Sequence, residues 1–115
     1  MSEDARVDEE KATQRRAQVL GMAYANTNTS DKALYKDLIS NEEHKTFHTI
    51  PLYSDEHNIK FGVTNNTSQS TMEKLRDRFL DQRVEFALIS DSGFNEYIKL
   101  YNPAKKVEYQ DVKFS

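Results

Sequence analysis

The chain of 115 residues has no cysteine and no tryptophan, only two prolines, and three glycines at Gly21, Gly62 and Gly93. Without cysteine it can build no disulfide framework, no thiolate metal site and no thiol nucleophile, a composition suited to a reducing compartment. Three widely separated glycines cannot form a GxxxxGK[ST] loop or a GxGxxG turn, which excludes nucleotide binding by those routes. No apolar run approaches a membrane span, and the opening MSEDARVDEEK is charged where a signal peptide needs an apolar core. Cytoplasmic residence is therefore expected. The formal charge of −3, from 16 basic and 19 acidic residues, opposes polyanion binding and argues against a nucleic-acid partner.

What is present suffices for one modest core: 37% of residues are hydrophobic, and twelve are Tyr or Phe. The acidic stretch at 1–8 lacks apolar spacing and is expected to be mobile. A single α/β domain follows over 9–103, and 104–115 forms a tail or linker. A first helix from Glu9 would place Ala12, Arg16, Val19 and Leu20 on one face and stop at Gly21. The spacing of Leu34, Tyr35, Leu38 and Ile39 predicts a helix capped by Thr29 or Ser30. Ser40-Asn41-Glu42-Glu43 has the form of a capping box that starts another. Two β-rich runs, 50–54 and 59–64, flank the polar tetrad Asp55-Glu56-His57-Asn58 and predict a hairpin. Met72, Leu75, Phe79 and Leu80 mark an amphipathic helix. The nearly continuous apolar run VEFALI reads as a central strand parallel to 59–64, and Phe94, Tyr97, Ile98 and Tyr101 share the face of a last helix.

Candidate chemistry is sparse. His44 and His48 are four apart on a predicted helix and could share a metal with Glu43 or Asp55, the basis of an alternative reading as a small metal-dependent enzyme. HExxH is absent, and the plainer reading is exposed helix histidines. Adjacent carboxylates such as Glu42/Glu43 diverge on a helix and read as solvated charges. Asp91-Ser92-Gly93 could hold an anion on free amides, but helix capping is the commoner use of such residues.

The ordered segments RAQVLGMAYANT, SNEEHKTFHTIPLY, IKFGVTN, RVEFALIS and KLYNP resemble the N-terminal domain of the assembly ATPases of type IV pilus and type II secretion machines. Leu20-Gly21 before a short strand with Tyr24, and the proline-containing strand Ile50-Pro51-Leu52-Tyr53, carry the likeness, which spans about residues 15–103. It implies a non-catalytic docking or regulatory domain that links a motor to a protein partner of the pilus or secretion machine. Many members of that family bind cyclic di-GMP through arginine-leucine-glycine repeats. No RLG occurs here, so that ligand is not carried over, and the alternative of a second-messenger sensor lacks its motif. No ATPase motif is present either, and no cofactor is implied.

These readings combine into a two-layer α/β (α+β) sandwich with a small mixed sheet of three or four strands and helices mainly on one face. Such a sheet would bury Phe61, Phe86, Leu75, Phe79 and Ile98 together. Its opposite face, carrying Pro51, Gly62 and Ala87 beside the proposed protein-binding residues Tyr53, Lys60, Thr64 and Ile89, would then be the docking surface.

Overall fold

The computed structural model, which describes residues 3–102, contains four helices and four strands. They are α1 (Glu3–Leu20), β1 (Ala23–Tyr24), α2 (Asn41–Phe47), β2 (Thr49–Ser54), β3 (Asn58–Val63), α3 (Gln69–Arg78), β4 (Arg83–Leu88) and α4 (Asp91–Tyr101). The strands form one mixed sheet in the order β1-β4-β3-β2. β2 and β3 are the expected antiparallel hairpin, while β3 and β1 both run parallel to β4. The small mixed α/β class is as the sequence predicts. The suggested tail at 104–115 lies outside the described residues.

Side-chain alternation sorts the core into two layers. Ile59 and Phe61 point to one face of β3, where they pack with Leu75 of α3 and, less deeply buried, Phe79, Val84 and Phe86. Val63 and Leu88 continue this layer against Ala17 of α1. A Cβ placed on Gly62 would meet Ile89 and Leu52, so those side chains lie on the other face. There Ile50 and Ile89 pack with Phe94, Tyr97 and Tyr101 of α4, and Ile98 joins them. Helices thus cover both faces, α3 one and α4 the other, where the sequence reading put them mainly on one. Ile98 correspondingly belongs to the layer opposite Phe61. The four apolar residues of α4 read from sequence alone could not reveal which face they meet.

The predicted helix over Leu34 to Ile39 does not form, and residues 25–40 run as an irregular connector. Leu34 packs on the α4 layer, whereas Leu38 and Ile39 pack on the α3 layer. One helical stripe could not serve both faces, so tertiary packing overrides the local pattern. The connector is pinned by hydrogen bonds instead: the Asn28 amide donates to Asn26 Oδ1, and the Tyr35 amide donates to the Tyr101 hydroxyl at 2.8 Å. Ser40 does start α2 with the predicted capping box. The Glu43 amide donates to Ser40 Oγ at 3.1 Å, and the Ser40 amide donates to Glu43 Oε1 at 2.9 Å.

α1 begins at Glu3, upstream of the expected Glu9, and so takes in part of the 1–8 segment expected to be mobile. Its inward face is not Ala12, Arg16, Val19 and Leu20. Arg6, Glu10, Thr13 and Ala17, spaced by four, three and four, are the buried residues, while Val19 is 86% exposed. The helix ends as predicted at Gly21, which adopts φ +70. The Met22 amide donates to the Ala17 carbonyl and the Gly21 amide to that of Gln18, the Schellman arrangement for which a left-handed glycine is suited.

Candidate functional site

The four residues proposed as a docking face do not form one surface. Thr64 and Ile89 are buried, Ile89 beneath α4, whereas Tyr53 and Lys60 are exposed. An irregularity in β2 explains where Tyr53 points. Pro51 lies opposite Phe61, on the α3 side, and the next paired residue, Tyr53, lies opposite Lys60, which leaves Leu52 as the extra residue of a bulge. Tyr53 therefore stays on the expected face with Lys60, whereas Pro51 moves to the Phe61 side and Leu52 to the side of Gly62 and Ile89. Beyond the end of α4, the exposed part of the sheet carries a cross-strand row of Tyr53, Lys60 and Glu85, formed by the pairs Tyr53–Lys60 and Lys60–Glu85. The Tyr53 hydroxyl donates to Asp55 Oδ2 at 2.7 Å, and this hydrogen bond raises the phenol pKa and lowers that of the carboxyl. Asp55 Oδ1 also accepts from the amides of His57 and Asn58, which closes the hairpin tip.

On the other face lies an open groove of about 590 Å³. Leu20, Met22, Met72, Phe86 and Leu88 supply its apolar lining, and Arg76 of α3 with Thr64, Asn65, Thr67 and Gln69 its polar lining. The Arg76 guanidinium stands 4.9 Å from the Phe86 ring centroid, a cation–π contact that places one charge against the apolar lining. Sequence reasoning missed this groove because its lining comes from distant segments and Met72 reads as ordinary core. The exposed Leu20, expected on a buried helical face, is the signal that could have marked its rim.

A second feature with chemistry is the polar joint under α1. Arg6 Nε donates to Glu10 at 2.8 Å, and its Nη1 donates to Glu96 of α4 at 2.5 Å. Glu10 also accepts from the Tyr24 and Ser90 hydroxyls, each at 2.5 Å. Burial opposes the charge on Arg6, but the hydrogen bonds to Glu96 and Glu10 outweigh it and raise its pKa. Burial likewise opposes the charge on Glu10, yet hydrogen bonds from Ser90, Tyr24 and Arg6 bring its pKa below 4.5. Burial and the bond to Glu10 push the Tyr24 phenol up.

The possible anion seat at Asp91-Ser92-Gly93 is taken by the chain itself. Ser90 caps α4 through the Gly93 amide, and the Glu9 carboxylate accepts from the Ser92 amide at 3.0 Å and its hydroxyl at 2.6 Å. Gly93 is required here, because a Cβ would lie 1.7 Å from Thr27 Oγ1. The joint is thus a set of fully partnered ion pairs and caps with no free nucleophile, an arrangement that fastens one helix to another.

The two histidines of the metal reading do not converge on a site. His44 is buried, not exposed as expected, and its ring lies 4.2 Å from that of Tyr101. His48 terminates α2 in the left-handed region at φ 51 with its ring 5.4 Å from Phe94. Packing against aromatic rings accounts for both, and among the described residues no group of three His, Cys, Asp or Glu is placed to hold a metal.

No protein-family model matches the chain, and no curated protein sequence does. Comparison with solved structures finds the N-terminal domain of XpsE, a type II secretion ATPase, at a TM-score of 0.58 and 14% sequence identity. The match covers 82% of this chain but only 64% of that one, so the chain spans less than two thirds of its structural neighbour. In fold, the chain is similar to the N-terminal domain of a secretion ATPase, the resemblance first suggested by its ordered sequence segments.

Proposed function

We propose that this chain is a non-catalytic docking domain that joins a motor of the type IV pilus or type II secretion kind to a protein partner on the cytoplasmic side of the inner membrane. The observation that carries the reading is the groove between Leu20 and Met72: an open, partly apolar channel on a domain whose fold is similar to the N-terminal domain of XpsE. Apolar linings with a single oriented charge suit protein side chains, since aromatic and aliphatic anchors concentrate binding energy while the rim sets orientation. The Tyr53–Lys60–Glu85 row lies on the opposite face of the sheet and offers one aromatic side chain between two charges. Cyclic di-GMP, nucleic acid and membrane insertion play no part in this reading.

Titrating the purified chain with cytoplasmic segments of inner-membrane platform proteins from such machines tests it. Binding is expected, and Met72→Asp should weaken it at least about tenfold, with Tyr53→Ala nearly neutral. The reverse ranking would move the docking site to the hairpin row. Failure of the folded chain to bind any platform segment would remove the docking function.

A further inference from the structure

The sheet has an open edge that is complementary to itself. β1 pairs with Ala87 and Leu88, so among the described residues the outer edge of β4 from Arg83 to Phe86 has no strand partner. The Arg83 amide donates to His57 O and the Ile89 amide to Val63 O, both toward the β3 side. Because ladder groups alternate along a strand, Val84 and Phe86 direct their backbone groups to the open side. We propose that this edge pairs antiparallel with β4 of a second copy about a two-fold axis at Val84.

The ladder narrows the register and two further features choose it. First, an antiparallel ladder needs outward-directed residues opposite one another, which admits centres at Val84 or at Glu85. Second, β1 occupies the edge beside Ala87 and Leu88, and the chain turns before Arg83, so the space for a new strand runs from about residue 82 to 86 and is centred on Val84. Third, the register sets Arg83 opposite Glu85 of the second copy, and Glu85 opposite its Arg83. Both are exposed and already 3.1 Å apart within one chain. A register shifted to a centre at Glu85 would oppose two glutamates, which is repulsive.

Charged residues on an edge strand usually discourage pairing. Here the charges alternate in sign, so they select one register among those the backbone allows. On the α3 face the pairing covers the partly exposed Val84 with its counterpart and brings Phe86 to the end of the new ladder, since Gln82 is held in the preceding turn by its amide bond to the Phe79 carbonyl. This interface borders the groove proposed for partner docking and shares Phe86 with it, but its readout is the state of the chain alone.

Sedimentation equilibrium of the full chain between roughly 10 µM and 1 mM is the test, since a five-residue strand pairing belongs to the weak end of that range. A reversible dimer is expected. Arg83→Glu, which sets two carboxylates against each other across the new ladder, should raise the dissociation constant at least about tenfold, and adding Glu85→Arg should restore it to within about threefold. Val84→Pro, which removes an outward-directed amide, should give monomer, with circular dichroism confirming the fold of each variant. A monomer throughout the range, a dimer indifferent to Arg83→Glu, or a double variant that stays monomeric would each overturn the proposal. So would an edge that binds only a different protein.

Discussion

His44 illustrates how one side chain can set a pH limit. Its imidazole is fully buried against Tyr101, and neither ring nitrogen has a hydrogen-bond partner. Burial lowers its pKa below 6.5, with the nearby Glu43 carboxylate acting weakly the other way. The folded state therefore binds fewer protons than the unfolded state once the pH falls below about 6.5, and stability present above that value is lost as the pH drops toward the folded pKa. The carboxylates act lower. Glu43 is held at about 2, chiefly by its hydrogen bond to Arg78, so its contribution is complete above about 4.5 and is lost as the pH falls from there toward 2. Urea midpoints measured at pH 7.5, 6.5 and 5.5 should fall for the natural chain and stay nearly level for His44→Leu. Parallel declines in both proteins would assign the loss to other groups.

At the scale of elements, local signals were legible where the chain satisfies itself. The Ser40 capping box needs only residues 40–43, and both of its hydrogen bonds are present. Ser40→Ala should cost roughly 1 kcal/mol in chemical denaturation, and Ser40→Asp, which can also cap, should recover most of it. An unchanged midpoint for the alanine variant would show that the helix start is held by tertiary contacts instead. The hairpin was legible for the same reason, but its bulge was not. Leu52 is displaced because it packs toward Gly62 and Ile89 on another strand and beyond it, and no pattern inside 50–54 records that. The connector failed more completely, since Leu34 and Ile39 serve opposite faces of a sheet that had yet to be placed. The groove, assembled from α1, α3 and β4, belongs to that same class of long-range features. Of the proposed site, exposure survives at Tyr53 and Lys60, while the burial of Ile89 depends on where α4 lies.

Across the whole molecule, the sheet with α3 and α4 is held by apolar layers, whereas α1 is held mainly by charge. Its buried face is Arg6, Glu10, Thr13 and Ala17, and only the last contributes to an apolar cluster. Hydrophobic periodicity cannot find such a helix, which explains why its inner face was misread. The same chemistry predicts how it comes away. Glu10 and Glu96 both have pKa values lowered below 4.5, so their contribution is complete above that value and fades as falling pH protonates them. Arg6 then keeps its charge beneath the helix without its partners, an expensive arrangement for a buried cation. Hydrogen exchange followed between pH 7 and pH 4 should show α1 amides losing protection before those of β3 and β4, as a separate unit of lower opening energy. Arg6→Ala should reproduce that early opening at neutral pH by leaving Glu10 with an unpaired buried charge. If α1 and the central strands exchanged with the same opening energy at every pH, the helix would be an integral part of the cooperative core, and the charged joint would be a detail of its packing instead of its main attachment.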